Sequence, residues 1–147
     1  MTSDTSSASQ VIYRKNEPSD LRTASDLIHY LESAGFEMSV PINVDEIAKA
    51  LSINIVYDFN GIKDDFVGKI EFGVNNWPVV TLNPIENTYE PRRRFTIAHE
   101  IGHYCLHSNQ HRRFIDTRKN MSRTGSYWDT YEYEANAFAA ELLMPES

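Results

Sequence analysis

Three of the chain's five histidines, His99, His103 and His107, fall within the stretch RFTIAHEIGHYCLH, with Glu100 beside the first of them. Residues four apart on a helix leave the same face, about 40° apart around the axis and roughly 6 Å apart along it. His99 and His103 are therefore spaced to chelate one metal ion. Glu100 is turned about 100° from His99, so it can reach a water held by that ion without occupying a coordination position. His107 lies about 12 Å along the axis from His99 and is read as a supporting or structural residue. A third histidine ligand ten residues after His99 would stand at position 109, and that residue is Asn109.

A catalytic zinc takes three protein ligands and leaves one position for water, so a further ligand must come from elsewhere. The segment DTYEYEANAFAAELLMP, residues 129–145, offers Glu132, Glu134 and Glu141. On a helical wheel Ala135, Ala139, Leu142 and Leu143 form an apolar stripe, with Tyr131 and Phe138 on one shoulder. Glu132 lies on the axial continuation of that stripe. Glu134 and Glu141 point away and are read as solvated. A buried carboxylate is costly unless it is paired or bound to a cation, which selects Glu132 as the ligand. The competing role for Glu132 is that of a helix-start carboxylate favoured by the helix dipole. Asn136, one turn later on the same face, is placed to hydrogen-bond a ligand imidazole. A site of two histidines and a glutamate beside a carboxylate base favours zinc. The chemistry this predicts is peptide-bond hydrolysis, with zinc acidifying its water and Glu100 moving the proton to the leaving amine. Tyr127, Tyr131, His107 and His111 are candidates for stabilising the oxyanion.

The elements that must position these groups follow from periodicity. Apolar residues at 21, 24, 27, 28 and 31 predict a first helix, with Gly35 as its stop. A short helix over 44–51 and a β-branched strand over 53–57 come next. Strands over 66–72 and 78–83, joined by a turn around VNNWP, predict a small antiparallel sheet. Its edge near 78–83 is a candidate docking strand for an extended substrate. Asn87, Thr88 and Pro91 mark the start of the histidine helix, on which Gly102 lets another element approach closely. A polar connection over 108–127 leads to a last helix over 129–143, stopped by Pro145. The fold class is α+β, a compact domain over 16–147 preceded by a flexible Ser/Thr-rich tail over 1–15.

Composition narrows the function. The chain has 147 residues, 41% hydrophobic and 24% charged, with a formal net charge of −7, the profile of a soluble globular protein without a membrane span. The acidic balance disfavours direct nucleic-acid binding. The basic clusters at 92–94 and 111–113 read as solvated faces. DEIAKALSI resembles the first half of a helix-turn-helix, but the alternating INIVY follows where a recognition helix is needed. The N-terminus has neither a basic region nor an apolar core of a secretory signal. Cys105 is the single cysteine and reads as a core residue, which fits a reducing cytoplasm.

RFTIAHEIGHYCLH followed by EYEANAFAAELLMP, with VTLNP and RRRF before them, resembles the ImmA/IrrE family of zinc metallopeptidases over roughly residues 40–145. The family pattern of a glutamate, an asparagine four residues later and an apolar run ending in Leu-Met-Pro matches Glu132 and Asn136. The resemblance implies a zincin-like fold and a protein substrate, a transcriptional repressor of the helix-turn-helix type, in stress or mobile-element regulation. The chain departs from longer relatives in lacking a clear N-terminal helix-turn-helix domain and in stopping at PES, which suggests a short or trimmed form. The alternative of another class is a non-catalytic, zinc-containing regulator that acts by contact with a repressor or partner. Glu100 argues against it, because a structural zinc site needs no general base.

Overall fold

A computed structural model of the chain describes residues 21–60, 66–72, 77–117 and 130–144. The tail over 1–15, the turn residues 73–76, residues 118–127 of the polar connection and the Pro145 stop lie outside these. The described elements run α1 (Ala24–Ser33), α2 (Val44–Ala50), β1 (Asn54–Tyr57), β2 (Phe66–Phe72), β3 (Pro78–Leu82), α3 (Glu90–His107), β4 (Arg113–Thr117) and α4 (Thr130–Leu143). The architecture is α+β. Among the described residues no helix is long and apolar enough to cross a membrane.

The first two helices begin on side-chain caps. Thr23 Oγ1 accepts from the Asp26 N–H and Asn43 Oδ1 from the Glu46 N–H, each at 3.1 Å, satisfying donors that a helix start leaves without partners. Gly35 ends α1 with φ of 99°. There its N–H reaches Glu32 O and the Phe36 N–H returns to Leu31 O, a left-handed stop that glycine adopts without strain. At α3 the capping differs from the sequence reading. Tyr89 is the N-cap without a side-chain bond and Pro91 sits in the first turn. Asn87 and Thr88 instead tie down the preceding turn, Asn87 Nδ2 donating to Val67 O and Asn83 O at 2.8 Å and Thr88 Oγ1 to Pro84 O at 3.0 Å.

The sheet has the order β1-β3-β2-β4. β2 and β3 are antiparallel, Gly68 opposite Leu82 and Phe72 opposite Pro78. β1, however, runs parallel to β3, Asn54 opposite Val79 and Tyr57 opposite Leu82, so the sheet is mixed rather than wholly antiparallel. Alternation of apolar residues specifies which face is buried, not which way a neighbouring strand runs. β3 consequently lies inside the sheet with both ladders used. The expectation that a substrate pairs with an edge near 78–83 is corrected by this topology.

β4 was hidden in the segment read as a polar connection. Phe114 and Asp116 are buried while Arg113 and Ile115 are exposed, the period of a half-buried strand. It pairs antiparallel with β2, with a register shift between Phe66 and Gly68 that leaves Gly68 opposite Asp116. Such irregularities re-aim side chains.

The sheet and α4 enclose α3. From Thr96 to Tyr104 every α3 residue is buried, and Ile97, Ala98, Ile101, Phe138, Ala139 and Leu142 join a core that also takes in Leu27, Ile47, Ile70 and Val80. Gly102 makes the close approach predicted for it. A Cβ there would stand 3.1 Å from Phe138 Cβ. The basic cluster at 92–94 is not a solvated face. Arg93 Nη1 and Nη2 donate to Asp45 at 3.0 and 3.1 Å, its Nε to Tyr57 Oη at 2.8 Å, and Arg94 Nη2 to Ile42 O at 2.7 Å.

Candidate metal centre

α3 presents His99 and His103 to one point, with ring centroids 4.8 Å apart and ring planes at 87°. Their Nδ1 atoms are both engaged by protein. His99 Nδ1 lies 2.9 Å from Asn136 Oδ1, and His103 Nδ1 lies 3.0 Å from His107 Nδ1, whose Nε2 is 2.7 Å from Glu134 Oε1. The network assigns the protons. His99 donates to Asn136, His103 donates to His107, and His107 donates to Glu134. Both Nε2 atoms are thereby turned to the common point, the arrangement that partners of ligand imidazoles impose. Phe114 of β4 stacks on His103 at 4.2 Å and 8°, fixing the ring plane.

Glu132, in the first turn of α4, completes the predicted set. Its Oε1 is 2.9 Å from His99 Nε2 and its Oε2 is 3.3 Å from His103 Nε2. It is 4% exposed, so its place is in the core and not on a solvated helix end. Of the two carboxylates read as solvated, Glu134 is exposed yet holds His107, and Glu141 Oε1 accepts from the Ala24 N–H at 3.1 Å. His107 supports His103, as its distance along the helix required. With both nitrogens engaged, it is withdrawn from the oxyanion candidates. Tyr131 packs edge-on against His107 and His111, at 4.8 and 5.3 Å, as part of an aromatic wall. Tyr127 lies outside the described residues.

One residue at the centre was missed. Asp116 Oδ1 lies 3.5 Å from His99 Nε2 and 3.4 Å from His103 Nε2, and the residue is fully buried. The sequence carries a faint signal for it. RFIDT alternates like a strand, and an aspartate on the same face as Phe114 breaks the expected apolar pattern.

Burial would lower the His99 imidazole, but the Asp116 and Glu132 carboxylates outweigh it and bring its pKa to about 10. His103 is raised by the same two groups against its burial. Glu100 is pushed well above the usual carboxylate range by burial and then by the negative charges of Asp116 and Glu132. Asp116 is held well below that range because the histidines and Glu100 outweigh its burial. The shifts at His99, His103 and Glu100 all favour the protonated form. Their common cause is the pair of buried carboxylates, Asp116 and Glu132, whose negative charge a divalent ion would also offset.

The donor set fits such an ion. Ligand atoms of His99, His103, Asp116 and Glu132 all lie within 4.8 Å of one another. Both Glu100 oxygens and Asp116 Oδ2 are buried without a hydrogen-bond partner among the described residues, which is costly unless a cation or water compensates. Imidazole nitrogens mixed with carboxylate oxygens suit a borderline divalent ion.

Residues 60–147 match the model of a protein family, peptidase M78, described as the IrrE N-terminal-like domain. The chain is 32% identical over 104 residues to the uncharacterized immunity region protein 2 of Bacillus phage phi105, covering 71% of this chain and 60% of that protein. It is 27% identical over 109 residues to the metallopeptidase ImmA of Bacillus subtilis strain 168, covering 70% of this chain and 62% of that protein. The matched region thus spans about 60% of the length of each curated relative.

Proposed function

This chain belongs to the peptidase M78 family of IrrE N-terminal-like domains, and we propose that it is a zinc-dependent endopeptidase acting on a helix-turn-helix transcriptional repressor in the cytoplasm. The observation that carries the catalytic reading is Glu100. It is wholly buried, both its oxygens lack a hydrogen-bond partner among the described residues, and it sits one residue after a predicted ligand histidine and outside the predicted ligand set. A structural site has no use for such a carboxylate, which costs stability where it stands.

His99, His103 and Glu132 would hold the ion. When bound, zinc supplies a Lewis acid for the scissile carbonyl and lowers the pKa of its water. Glu100 takes the proton of the attacking water and delivers it to the leaving nitrogen. Asn136 and His107 hold the imidazoles in the tautomers that ligation needs. The repressor substrate is supported by the family resemblance and by the name of the phage relative, which assigns that protein to an immunity region.

The test co-expresses the chain with repressors encoded beside it and follows their intact mass, with wild type against Glu100→Gln and Glu132→Ala. Wild type should shorten one repressor, Glu100→Gln should bind zinc without cleaving, and Glu132→Ala should lose zinc. Cleavage that persists in Glu100→Gln would refute the mechanism. Regulation that persists without cleavage would favour a contact regulator.

A further inference from the structure

We propose that Asp116 is a fourth protein ligand, closing the coordination position that a three-ligand catalytic site leaves for water. The inference rests on the metallopeptidase reading above and concerns how that site is held at rest.

The geometry points to ligation and not to mere proximity. Two donors on one tetrahedral zinc, with bonds of about 2.0–2.2 Å, would stand about 3.3–3.6 Å apart. Asp116 Oδ1 is 3.5 Å from His99 Nε2 and 3.4 Å from His103 Nε2. Glu132, the ligand predicted from the sequence, lies 2.9 and 3.3 Å from the same two nitrogens, through its two different oxygens. A single oxygen of Asp116 therefore stands at ligand spacing from both imidazoles. Its other oxygen, Oδ2, is buried and has no hydrogen-bond partner among the described residues, so the two imidazoles that face Oδ1 leave half of the carboxylate uncompensated.

The fold also aims it. The shift in pairing between β2 and β4 falls beside Asp116, which stands opposite Gly68. Because Gly68 has no side chain, β2 lies close over α3, where a Cβ would meet Thr96 Cγ2 at 2.7 Å and Glu100 Oε2 at 3.2 Å. Phe114, two residues before Asp116 on the same face, stacks on His103 and pins β4 to the ligand helix. Four protein ligands are the mark of a closed site, three of an open one. With all four in place the ion has no vacant tetrahedral position. Hydrolysis then requires Asp116 to withdraw, and β4, which pairs with only β2 among the described strands, is the element that carries it.

The experiment measures zinc affinity by competition with a chromophoric chelator for wild type, Asp116→Asn and Glu132→Gln. It also records the cobalt(II) spectrum of Asp116→Cys. Circular dichroism of each zinc-loaded variant establishes that it is folded. Loss of a partner that only orients a ligand weakens metal binding by roughly 10–100-fold, so Asp116→Asn should weaken it at least roughly tenfold. Asp116→Cys should show a thiolate-to-cobalt charge-transfer band, which a role in packing or orientation does not produce. Affinity unchanged in Asp116→Asn, or no such band in a folded Asp116→Cys that binds cobalt, overturns the proposal. Because the readouts are binding and spectra, loss of affinity in Glu132→Gln alone would leave the peptidase reading standing while Asp116 is excluded. Absence of metal binding in the wild type would remove both.

Discussion

Gly68→Ala is the most informative single methyl that can be added to this chain. The new Cβ would stand 2.7 Å from Thr96 Cγ2, 3.2 Å from Glu100 Oε2 and 3.5 Å from Leu82 Cδ2. Carbon atoms pack at about 3.5–4.0 Å, so the first contact overlaps by nearly 1 Å and something must shift. Overpacking of this kind costs about 1–3 kcal/mol. For a chain of this size that is a fall in Tm on the order of 3–10 °C. Thr96→Ser removes the opposing methyl and keeps the hydroxyl that donates to Arg92 O at 2.9 Å. Alone it should cost about 1 kcal/mol for the lost methyl. Combined with Gly68→Ala it should restore stability relative to the sum of the two, with a coupling of about 1 kcal/mol or more. The contact with Glu100 Oε2 survives in the double variant, so stability should recover while peptidase turnover does not. Thermal denaturation of chelator-treated protein reads the first quantity and repressor cleavage at saturating zinc the second. Additive stabilities, or recovery of both properties together, would show that β2 does not press on the Thr96–Glu100 face of α3.

Metal-free protein should lose stability as pH rises. The folded His99 pKa of about 10 exceeds its ordinary 6.5, so its contribution is complete below about pH 6.5 and is lost as pH climbs towards 10. The raised Glu100 carboxyl acts in the same direction from its ordinary 4.5 upward. A Tm of chelated protein that stays flat or rises over pH 6.5–10 would contradict a protonated His99. Asn136→Ala and His107→Ala each remove the partner of a ligand imidazole and should weaken zinc binding roughly 10–100-fold with little change in fold; chelator competition measures it, and wild-type affinity in either would show that the partner does not matter. Arg93→Ala removes a two-pronged contact to Asp45, itself half exposed, and should cost about 1–2 kcal/mol in urea unfolding. Arg93→Lys should recover little, because an ammonium cannot make the fork, and full recovery would refute the forked geometry as the source.

The residues legible in the sequence are those whose meaning is local. The spacing of His99 and His103, the rotation of Glu100 away from them, and the face shared by Glu132 and Asn136 all follow from 3.6 residues per turn, and each stands where the wheel put it. The close approach at Gly102 was legible for the same reason. What stayed hidden depends on distant partners. β4 is five residues long and sits in a polar stretch, too short for its alternation to stand out, and with it went Asp116. The direction of β1 depends on the side of β3 that β2 leaves open, which no local pattern encodes. Asn87 and Thr88 have the composition of a helix start, yet their hydrogen bonds go backward into the turn at 83–85. Arg93 looked like surface charge because Asp45 and Tyr57, its partners, are 48 and 36 residues away.

The stretch that the family model matches and the stretch that builds the sheet do not have the same beginning. The match to the family model starts at residue 60, after β1 has ended, yet β1 pairs with β3 from Val79 to Leu82. Arg93 on α3 grips α2 through Asp45 and β1 through Tyr57. A piece cut at the inherited boundary would bare one complete ladder of β3, a template for pairing with another copy of itself. It would also take Asp45 and Tyr57 away from the Arg93 guanidinium. The residues before 60 therefore complete the sheet that the matched block contains, and any other sequence set before that block would have to supply a strand for the same side of β3.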